Sequence, residues 1–293
     1  MSSGNYINIK MFKISVIIAT YNRCESLKDT LNSLLKQKVN EMFDYEIIVV
    51  DNNSNDRTRE VVEEFKNKFN RKLKYIFEPR QGKPYALNRG IKETEGDVFA
   101  FTDDDCIVDR DWCLEIFKTF SQNPQISFIQ GRVVPIYLAK LPEWYQEGEW
   151  FGEKYTKGIF KLKDNTVDGA NMIISRKAVD ILKGFNPFFS RAEDTEIGYK
   201  AKNKGIEIYY VSKIKVKHKM DKNKLKKIYW LRCAFICGKK YPFIDNSTPA
   251  KNIYGIPLWI FRDILNSILK YLKFTFLLNP KKSLNKRSIS HFC

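Results

Sequence analysis

The sequence predicts an α/β fold in which helices flank a central sheet and a helical extension follows at the C-terminal end. Three observations predict it. Short β-branched runs alternate with amphipathic segments over residues 13–103, polar or acidic residues follow the end of each run, and basic residues concentrate after residue 198. Such alternation is typical of parallel strands joined by right-handed crossovers.

The first two strands and helices follow directly from apolar spacing. KISVIIA (13–19) has the β-branched composition of a buried strand, and YEIIVVDNNS (45–54) predicts a second one that ends in a polar loop. Between them, leucines recur at the spacing of one helix face: Leu27, Leu31, Leu34 and Leu35. Residues 56–69 repeat this pattern, which predicts a second amphipathic helix.

The next segments predict a third strand (72–78), a third helix (83–94) and a fourth strand (97–103). In parallel α/β sheets, ligands bind at the carboxyl ends of the strands. Asp51 and the acidic triplet Asp103–Asp105 each follow such an end. We therefore expect them to meet in one cleft.

Beyond residue 112 the alternation becomes irregular, although local patterns remain clear. They predict a helix (111–122), a strand (126–136), an aromatic-rich irregular region (137–165), a strand entering a helix (167–182), a loop and helix that stops at Gly205 (191–205), and a final strand pair (206–219). We detect no internal repeats.

The charge of the chain is divided unevenly. The chain has 293 residues, 43% of them hydrophobic, which is enough for a folded globular protein. Residues 1–198 hold 29 Lys and Arg against 30 Asp and Glu, whereas residues 199–293 hold 22 against 4. A basic end of this kind indicates binding to a polyanion, either nucleic acid or an anionic membrane face.

The cysteine spacing and the first residues of the chain bear on its cellular compartment. The six cysteines form no CxxC pair, and with His218 and His291 as the only histidines a structural zinc site is not expected. The opening MSSGNYINIKMFK lacks the apolar core of a signal peptide. Together these features predict a reducing, cytoplasmic location.

The triplet in FTDDDC is the strongest candidate for chemistry. Asp103 and Asp105 present carboxylates in a DxD pattern, which suits Mg²⁺ or Mn²⁺ because hard cations prefer oxygen ligands and also bind phosphate. The alternatives are a solvated acidic turn or an Asp that caps the helix beginning near 109–112. A metal would explain why three mutually repelling carboxylates follow a buried strand.

Four further stretches carry candidate residues, each with an ordinary alternative. Asp51 can bind a nucleotide or simply form a turn. Lys83, with Arg80 and Arg89 in RQGKPYALNRG, can neutralise a diphosphate or belong to a solvated loop. Asp194 can cap a helix, or one carboxylate of the pair Glu193 and Asp194 can act as a general base. His218 can be structural or a third metal ligand.

Taken in order, these stretches resemble the family 2 glycosyltransferases, which have a GT-A type, Rossmann-like mixed sheet and invert the transferred sugar. The resemblance runs over about residues 13–220 and rests on four segments: SVIIATYNR, VVDNNSNDRT, DVFAFTDDDC, and DGANMIISRKAVDILKGFNPFFSRAEDTEIGYKAKNKG. It departs from the family at Ala19, where proline is common, and in the extra carboxylate of Asp104.

The resemblance implies transfer of a sugar from a nucleotide-diphosphate sugar to a hydroxyl acceptor, aided by Mn²⁺ or Mg²⁺. Residues implied at the donor are Thr20, Tyr21, Arg23 and Asp51 around the nucleotide, Lys83 nearby, and Asp103 and Asp104 toward the ribose or sugar. Those implied at the metal are Asp103, Asp105 and His218. Asp194 would be the catalytic base.

The same resemblance divides the chain into three parts. A flexible N-terminus (1–12) precedes a catalytic domain (13–220), and a basic helical extension (221–293) follows it. The catalytic domain consists of a nucleotide-sugar half (13–112) and an acceptor half (113–220). In the extension, residues 255–282 predict an amphipathic helix whose central charges argue against a membrane span. We expect it to lie on the inner, anionic face of the cell membrane, beside a saccharide or lipid-linked acceptor. The alternative is a helix packed on the catalytic body or on a partner subunit.

Two other functional classes remain open at this stage. A nucleotidyltransferase would use a similar fold but would need a Gly-rich basic segment that ATYNRCESL lacks. A non-catalytic protein that binds nucleic acid would use the basic end, but no nucleic-acid module is recognisable, so we expect no nucleic-acid partner. The sequence does not specify the donor sugar, the base, the acceptor or the oligomeric state.

Overall fold

The computed structural model describes residues 11–143, 157–163 and 167–244, together with 252–253, 256–257, 261 and 265. The strands are β1 (Phe12–Thr20), β2 (Phe43–Asp51), β3 (Leu73–Phe77), β4 (Val98–Asp103), β5 (Cys106–Val108), β6 (Phe128–Tyr137), β7 (Ile159–Lys161), β8 (Asn171–Ser175), β9 (Ile208–Met220), β10 (Asn252–Ile253) and β11 (Ile256–Pro257). The helices are α1 (Cys24–Leu34), α2 (Thr58–Lys66), α3 (Lys83–Lys92), α4 (Trp112–Gln122), α5 (Arg176–Leu182), α6 (Glu193–Asn203) and α7 (Lys227–Ile244).

Within these residues, strands β1 to β9 form one mixed sheet in the order β3-β2-β1-β4-β8-β6-β9-β5, with β7 paired to β9. Strands β1 to β4 are mutually parallel, as the alternation of strands and helices predicts. Strand β8 runs antiparallel to both β4 and β6. The predicted mixed α/β sheet flanked by helices is therefore confirmed.

The register of the parallel strands aligns their carboxyl ends. Thr20 pairs with Asp51, Asp51 pairs with Phe77, and Ala19 pairs with Asp103. Four adjacent strands, β1 to β4, thus deliver the residues that follow them to a single edge of the sheet. This edge is where ligands bind in parallel α/β sheets.

Alternating side chains build a hydrophobic core on each face of the sheet. Ile14, Val16 and Ile18 of β1 pack in one buried cluster with the apolar sides of α1, α2 and α4. Ile17 points to the opposite face and joins a second cluster with α5 and α6. Because both faces are covered, β1 reads as a continuous apolar run rather than an alternating one.

The expected strand pair at 206–219 is wrong, since this segment forms the single strand β9. Its pairing with β6 slips between Gly131 and Arg132: Gly131 pairs with Val211, but Arg132 pairs with Lys215. The residues left between these pairs form a bulge, which keeps the chain within one strand while changing its direction and twist.

Asn171 closes this bulge from the neighbouring strand. Its side-chain amide donates to the backbone carbonyls of Arg132 and Ile214, each at 2.9 Å, and its carbonyl accepts from the Trp112 indole at 3.0 Å. Asn171 and Trp112 are both fully buried. A Cβ on Gly131 would stand 2.2 Å from the Asn171 amide nitrogen, so this close packing requires glycine.

The C-terminal part of the chain is described only in pieces. Helix α7 lies within the predicted basic helical extension (221–293), and no helix among the described residues has the length and apolarity needed to cross a bilayer. The helix predicted over 255–282 lies largely outside the described residues. Its first residues differ from the prediction, because β11 pairs with β10 as a short antiparallel ladder.

We expect Asn171→Ala to lower the free energy of unfolding by about 2–4 kcal/mol, because it leaves two buried carbonyls and a buried indole N–H without partners. Urea denaturation followed by circular dichroism measures this loss. Asn203→Ala is the matched control, since Asn203 is exposed at the end of α6 and its truncation should cost less than about 0.5 kcal/mol. Equal losses for the two variants would contradict the role given to Asn171.

Candidate active site

Asp51 ends β2 and is held in a fixed orientation at the sheet edge. One carboxylate oxygen accepts the Ser54 backbone N–H at 2.8 Å, and the other accepts the Tyr75 hydroxyl at 2.7 Å. Asp51 is 3% exposed, so little of it contacts solvent. The turn after the strand is therefore shaped around this carboxylate, which agrees with both of the roles that the sequence left open.

Asn52 organises the neighbouring loop that leads into α3. Its amide donates to the carbonyls of Glu78 and Arg80, at 3.3 and 2.6 Å, and its side-chain oxygen accepts the Gly82 N–H at 2.8 Å. Gly82 adopts a φ of 134°, which only glycine reaches without strain. This loop brings Lys83, the first residue of α3, to the sheet edge.

Asp104, the middle carboxylate of the triplet, faces inward rather than into open space. It accepts the Thr20 hydroxyl at 2.8 Å and an Arg23 guanidinium N–H at 3.3 Å. Burial, opposed mainly by the charge of Arg23, raises the pKa of Asp104 to about 6. These contacts favour a role in positioning Thr20 and Arg23, whereas Tyr21 beside them is 48% exposed.

Asp105 lies at the centre of a cluster of cationic groups. Its Oδ2 accepts hydrogen bonds from Arg23 and from Lys224, each at 2.5 Å, and its Oδ1 lies 3.0 Å from His218 Nε2. Burial alone would raise the pKa of Asp105. The hydrogen bond and charge of His218, with the charges of Lys224 and Arg23, outweigh it and hold that pKa well below its usual range.

Lys83 connects the triplet to the acceptor half of the sheet. Its Nζ donates to Asp103 Oδ1 at 2.6 Å and lies 3.3 Å from Glu193 Oε1. Although burial opposes its charge, Asp103 and Glu193 raise the pKa of Lys83 well above its usual value, so it stays an ammonium. One lysine thus links strand β4 with the first turn of α6.

Asp194 follows Glu193 in that first turn and is oriented by two backbone N–H groups. Thr195 donates to its Oδ1 at 2.7 Å, and Gly169 donates to its Oδ2 at 3.2 Å. Ala192, not Asp194, occupies the N-cap position of α6, so the helix-cap alternative is wrong. Burial, followed by the charge of Glu193, raises the pKa of Asp194 to about 7.

The cluster around Asp105 fits a divalent cation. Asp105, Cys106 and His218 offer ligand atoms within 4.8 Å of one another, and the Asp105 oxygen and His218 nitrogen are already 3.0 Å apart. Burial raises the pKa of the Cys106 thiol well above its usual value, which leaves it protonated and unsuited to a hard cation. The Lys224 ammonium contacts both Asp105 and His218, which shows that this position accommodates a positive charge.

The structure thus brings the predicted site residues to one edge of the sheet, with Asp103 paired to Lys83 and Asp105 paired to His218. Two arginines of the segment 80–90 are engaged elsewhere: Arg80, on the loop before α3, forms a bidentate pair with Glu78, and Arg89, on α3, pairs with Glu93. The solvated-loop alternative therefore fits these two arginines.

Sequence reasoning missed Asp168 and Lys224. Asp168 lies in the DGAN turn before β8, and burial raises its pKa while the charge of His218 opposes this rise. An acidic residue directly before a strand could have been noted. Lys224 stands among several lysines, and nothing in the sequence distinguishes it from them.

Comparison with known proteins identifies the family. The model of Glycosyl transferase family 2 matches residues 15–182, which is more than half of the chain. The chain belongs to this family. The family resemblance seen in its sequence is therefore confirmed, whereas these matches do not support the nucleotidyltransferase and non-catalytic alternatives.

Curated relatives match part of this sequence. Poly-beta-1,6-N-acetyl-D-glucosamine synthase of Staphylococcus epidermidis is 34% identical over 119 residues, covering 40% of this chain and 28% of the synthase. Glycosyltransferase AglE of Haloferax volcanii is 30% identical over 181 residues, covering 60% of this chain and 55% of AglE. The matched part is thus between about a quarter and about a half of these relatives.

A solved structure shows the same fold. The mannosyltransferase PcManGT of Pyrobaculum calidifontis, in complex with GDP-Man and Mn²⁺, superposes with a TM-score of 0.62 at 17% identity. The superposition covers 82% of this chain and 67% of PcManGT. The family 2 chain described here therefore has a GT-A fold.

We expect Asp194→Asn to stabilise the protein at pH 8 by about 1–3 kcal/mol and to have a much smaller effect at pH 4.5. The folded carboxyl group keeps its proton up to a pH of about 7, while the unfolded one loses it near pH 4. Stability therefore falls as pH rises between these values, and asparagine removes this loss. Urea denaturation at both pH values measures it.

Asp180→Asn provides the control, because Asp180 is an exposed carboxylate on α5. It should change the free energy of unfolding little at either pH. An Asp194→Asn gain that is equal at pH 4.5 and pH 8 would show that Asp194 titrates normally.

Proposed function

We propose that this glycosyltransferase is metal-dependent and inverting, and that it moves a sugar from a nucleotide-diphosphate sugar to a hydroxyl acceptor. The observation that carries the proposal is the Lys83 bridge between Asp103 and Glu193, at 2.6 and 3.3 Å. This bridge brings the proposed donor and base regions within the reach of one side chain. A transferase needs this proximity because both substrates must meet at one carbon atom.

On the donor side, Thr20, Tyr21, Arg23 and Asp51 would surround the nucleotide, with Asp103 toward the ribose or sugar. Asp104, directed inward, would hold Thr20 and Arg23 in place. Asp51 is fixed by Tyr75 and Ser54 and so presents a preorganised acceptor of hydrogen bonds. The GDP-Man and Mn²⁺ bound in the Pyrobaculum enzyme support a nucleotide-sugar donor. A bound nucleotide would contact the half formed by residues 13–112.

Asp103, Asp105 and His218 would hold Mn²⁺ or Mg²⁺. The chemistry that a divalent cation supplies there is neutralisation of the negative charge that develops on the departing diphosphate. Lys83 lies beside Asp103 and adds a second, permanent positive charge at this edge. Arg23 holds Asp104 and Asp105 in place through the same guanidinium nitrogen.

Asp194 would act as the general base. The acceptor oxygen forms a bond to the anomeric carbon as the bond to the diphosphate oxygen breaks, and the hydroxyl proton moves to the Asp194 carboxylate. Attack opposite the leaving group inverts that carbon. With a pKa raised to about 7, Asp194 is a stronger base than an ordinary aspartate, and about half of it is ionised at neutral pH.

On the acceptor side, α7 supports a lipid-linked saccharide presented at an anionic membrane. Four apolar side chains on this helix are more than half exposed: Ile228, Leu231, Phe235 and Phe243. They recur at helical spacing among lysines and arginine, as in helices that lie in a membrane interface. The helix also contacts the loop before Asp194, through Lys240 to the Ser190 carbonyl at 2.5 Å.

These contacts favour peripheral attachment on the cytoplasmic face, with residues 113–220 binding the acceptor and residues 221–293 contacting lipid. The poly-beta-1,6-N-acetyl-D-glucosamine synthase relative supports a role in polysaccharide synthesis. We propose a surface polysaccharide, lipopolysaccharide or glycolipid as the class of product.

We expect Asp105→Ala to lose Mn²⁺-dependent binding of the nucleotide sugar, because it removes a proposed ligand and the partner of His218. Asp194→Asn should keep donor binding and lose at least about a hundredfold in transfer rate, because the base is gone. A screen of nucleotide sugars, read by release of nucleoside diphosphate and by calorimetry, tests both variants. Asp180→Asn should behave as the unaltered protein. Normal transfer by Asp194→Asn would refute the base assignment.

We expect the double variant Leu231→Gln, Phe235→Gln to bind vesicles of phosphatidylglycerol about tenfold or more weakly, because two exposed apolar side chains no longer enter the interface. Vesicle co-sedimentation measures the affinity. Val39→Gln, Met42→Gln is the control, since these two exposed apolar residues lie on the loop after α1. Equal binding by both double variants, or no binding by the unaltered chain, would count against the membrane role of α7.

A further inference from the structure

Lys224 differs from the lysines around it because its ammonium is buried in the candidate active site. The residue is 7% exposed, whereas Lys222, Lys226 and Lys227 in the same segment are exposed. Its Nζ donates to Asp105 Oδ2 at 2.5 Å and lies 2.9 Å from His218 Nε2. An ordinary surface lysine keeps its ammonium in water, so this position requires an explanation.

The backbone at Lys224 is anchored, but its side chain is long enough to move. Asp221 Oδ1 accepts the backbone N–H groups of Asn223 and Lys224, at 2.8 and 2.9 Å, which fixes the turn after β9. The next residue, Leu225, is buried against Met220. The ammonium also donates to the Lys219 carbonyl at 3.2 Å. Rotation of the four-carbon stem would release it from this carbonyl and from Asp105 without disturbing the turn.

The ammonium contacts the same two groups that would bind a metal. The Lys224 Nζ lies 2.9 Å from His218 Nε2, the nitrogen that would coordinate a cation, and it also occupies one oxygen of Asp105. A divalent ion on those atoms would stand beside a like charge with little solvent between them. The two cations therefore exclude one another from this spot.

We propose that the Lys224 ammonium is an internal counter-cation that occupies the metal position of Asp105 and His218 and is displaced when a divalent cation binds. This inference rests on the proposed metal dependence. It explains how Asp105 remains buried beside two other carboxylates before the metal arrives, since the ammonium adds to the positive charge that Arg23 already supplies. It also makes the exchange selective for divalent over monovalent cations, because the incoming ion must carry enough charge to replace the ammonium.

Mn²⁺ binding to the full chain, without nucleotide, gives the first test. Lys224→Met removes the competitor while keeping a flexible apolar stem, so the affinity for Mn²⁺ should rise about tenfold or more in calorimetry or electron paramagnetic resonance. Lys222→Met removes the same charge two residues away from an exposed position, and it should leave the affinity unchanged. Unchanged or weaker Mn²⁺ binding by Lys224→Met would overturn the proposal.

Lysine labelling of the unaltered chain gives a second test that does not depend on how the variant folds. An amine-acetylating reagent followed by mass spectrometry should modify Lys224 slowly without metal and several-fold faster with saturating Mn²⁺. Lys222 should react quickly in both conditions. Continued protection of Lys224 at saturating Mn²⁺ would show that it is a fixed structural partner of Asp105.

Transfer with and without a chelator separates this inference from the function on which it rests. If transfer requires Mn²⁺ while Lys224 stays protected, the exchange is refuted and the proposed function stands. If transfer continues at full rate in chelator, metal dependence is refuted, and the exchange with it. In that case Lys224 would be a permanent replacement for the metal.

Discussion

The site depends on the charge balance of three adjacent aspartates at the end of a buried strand. Carboxylates so placed repel one another and lose hydration, so each needs a cation or a hydrogen-bond donor close by. The fold supplies these from separate parts of the chain: Arg23 comes from the turn after β1, Lys83 from the start of α3, and Lys224 from the turn after β9. Neutralising the triplet therefore draws distant elements to one edge of the sheet.

This balance divides the triplet into three roles. Asp104 is directed inward to Thr20 and Arg23, which ties the acidic loop to the first strand and helix. Asp103 is directed to Lys83 and, through it, to the α6 end of the site. Asp105 is directed to His218, whose place beside β5 depends on the long strand β9 and its bulge. Thus the three consecutive carboxylates contact different partners, because each side chain points in a different direction.

Much of the fold and of the site could be predicted from the sequence, because local residue patterns indicate where strands end and which helix faces are apolar. Asp51, Asp103 and Asp105 follow β-branched runs, and parallel strands bring such ends together whatever the loops between them do. Lys224 could not be predicted, because its importance comes from a three-dimensional contact 119 residues away from Asp105. The single strand β9 was also missed, since its bulge is stabilised by Asn171, a residue of a different strand.

Helix α7 has one further consequence for how such an enzyme would work. Its inner side contacts the loop before α6 through Lys240 and Cys237, while Leu231 and Phe235 are exposed among basic residues. If α7 lies on a membrane as proposed, the catalyst searches a plane for its acceptor, not a volume. We expect its turnover to follow surface-dilution kinetics, in which the mole fraction of acceptor within the lipid sets the rate and the bulk concentration matters little.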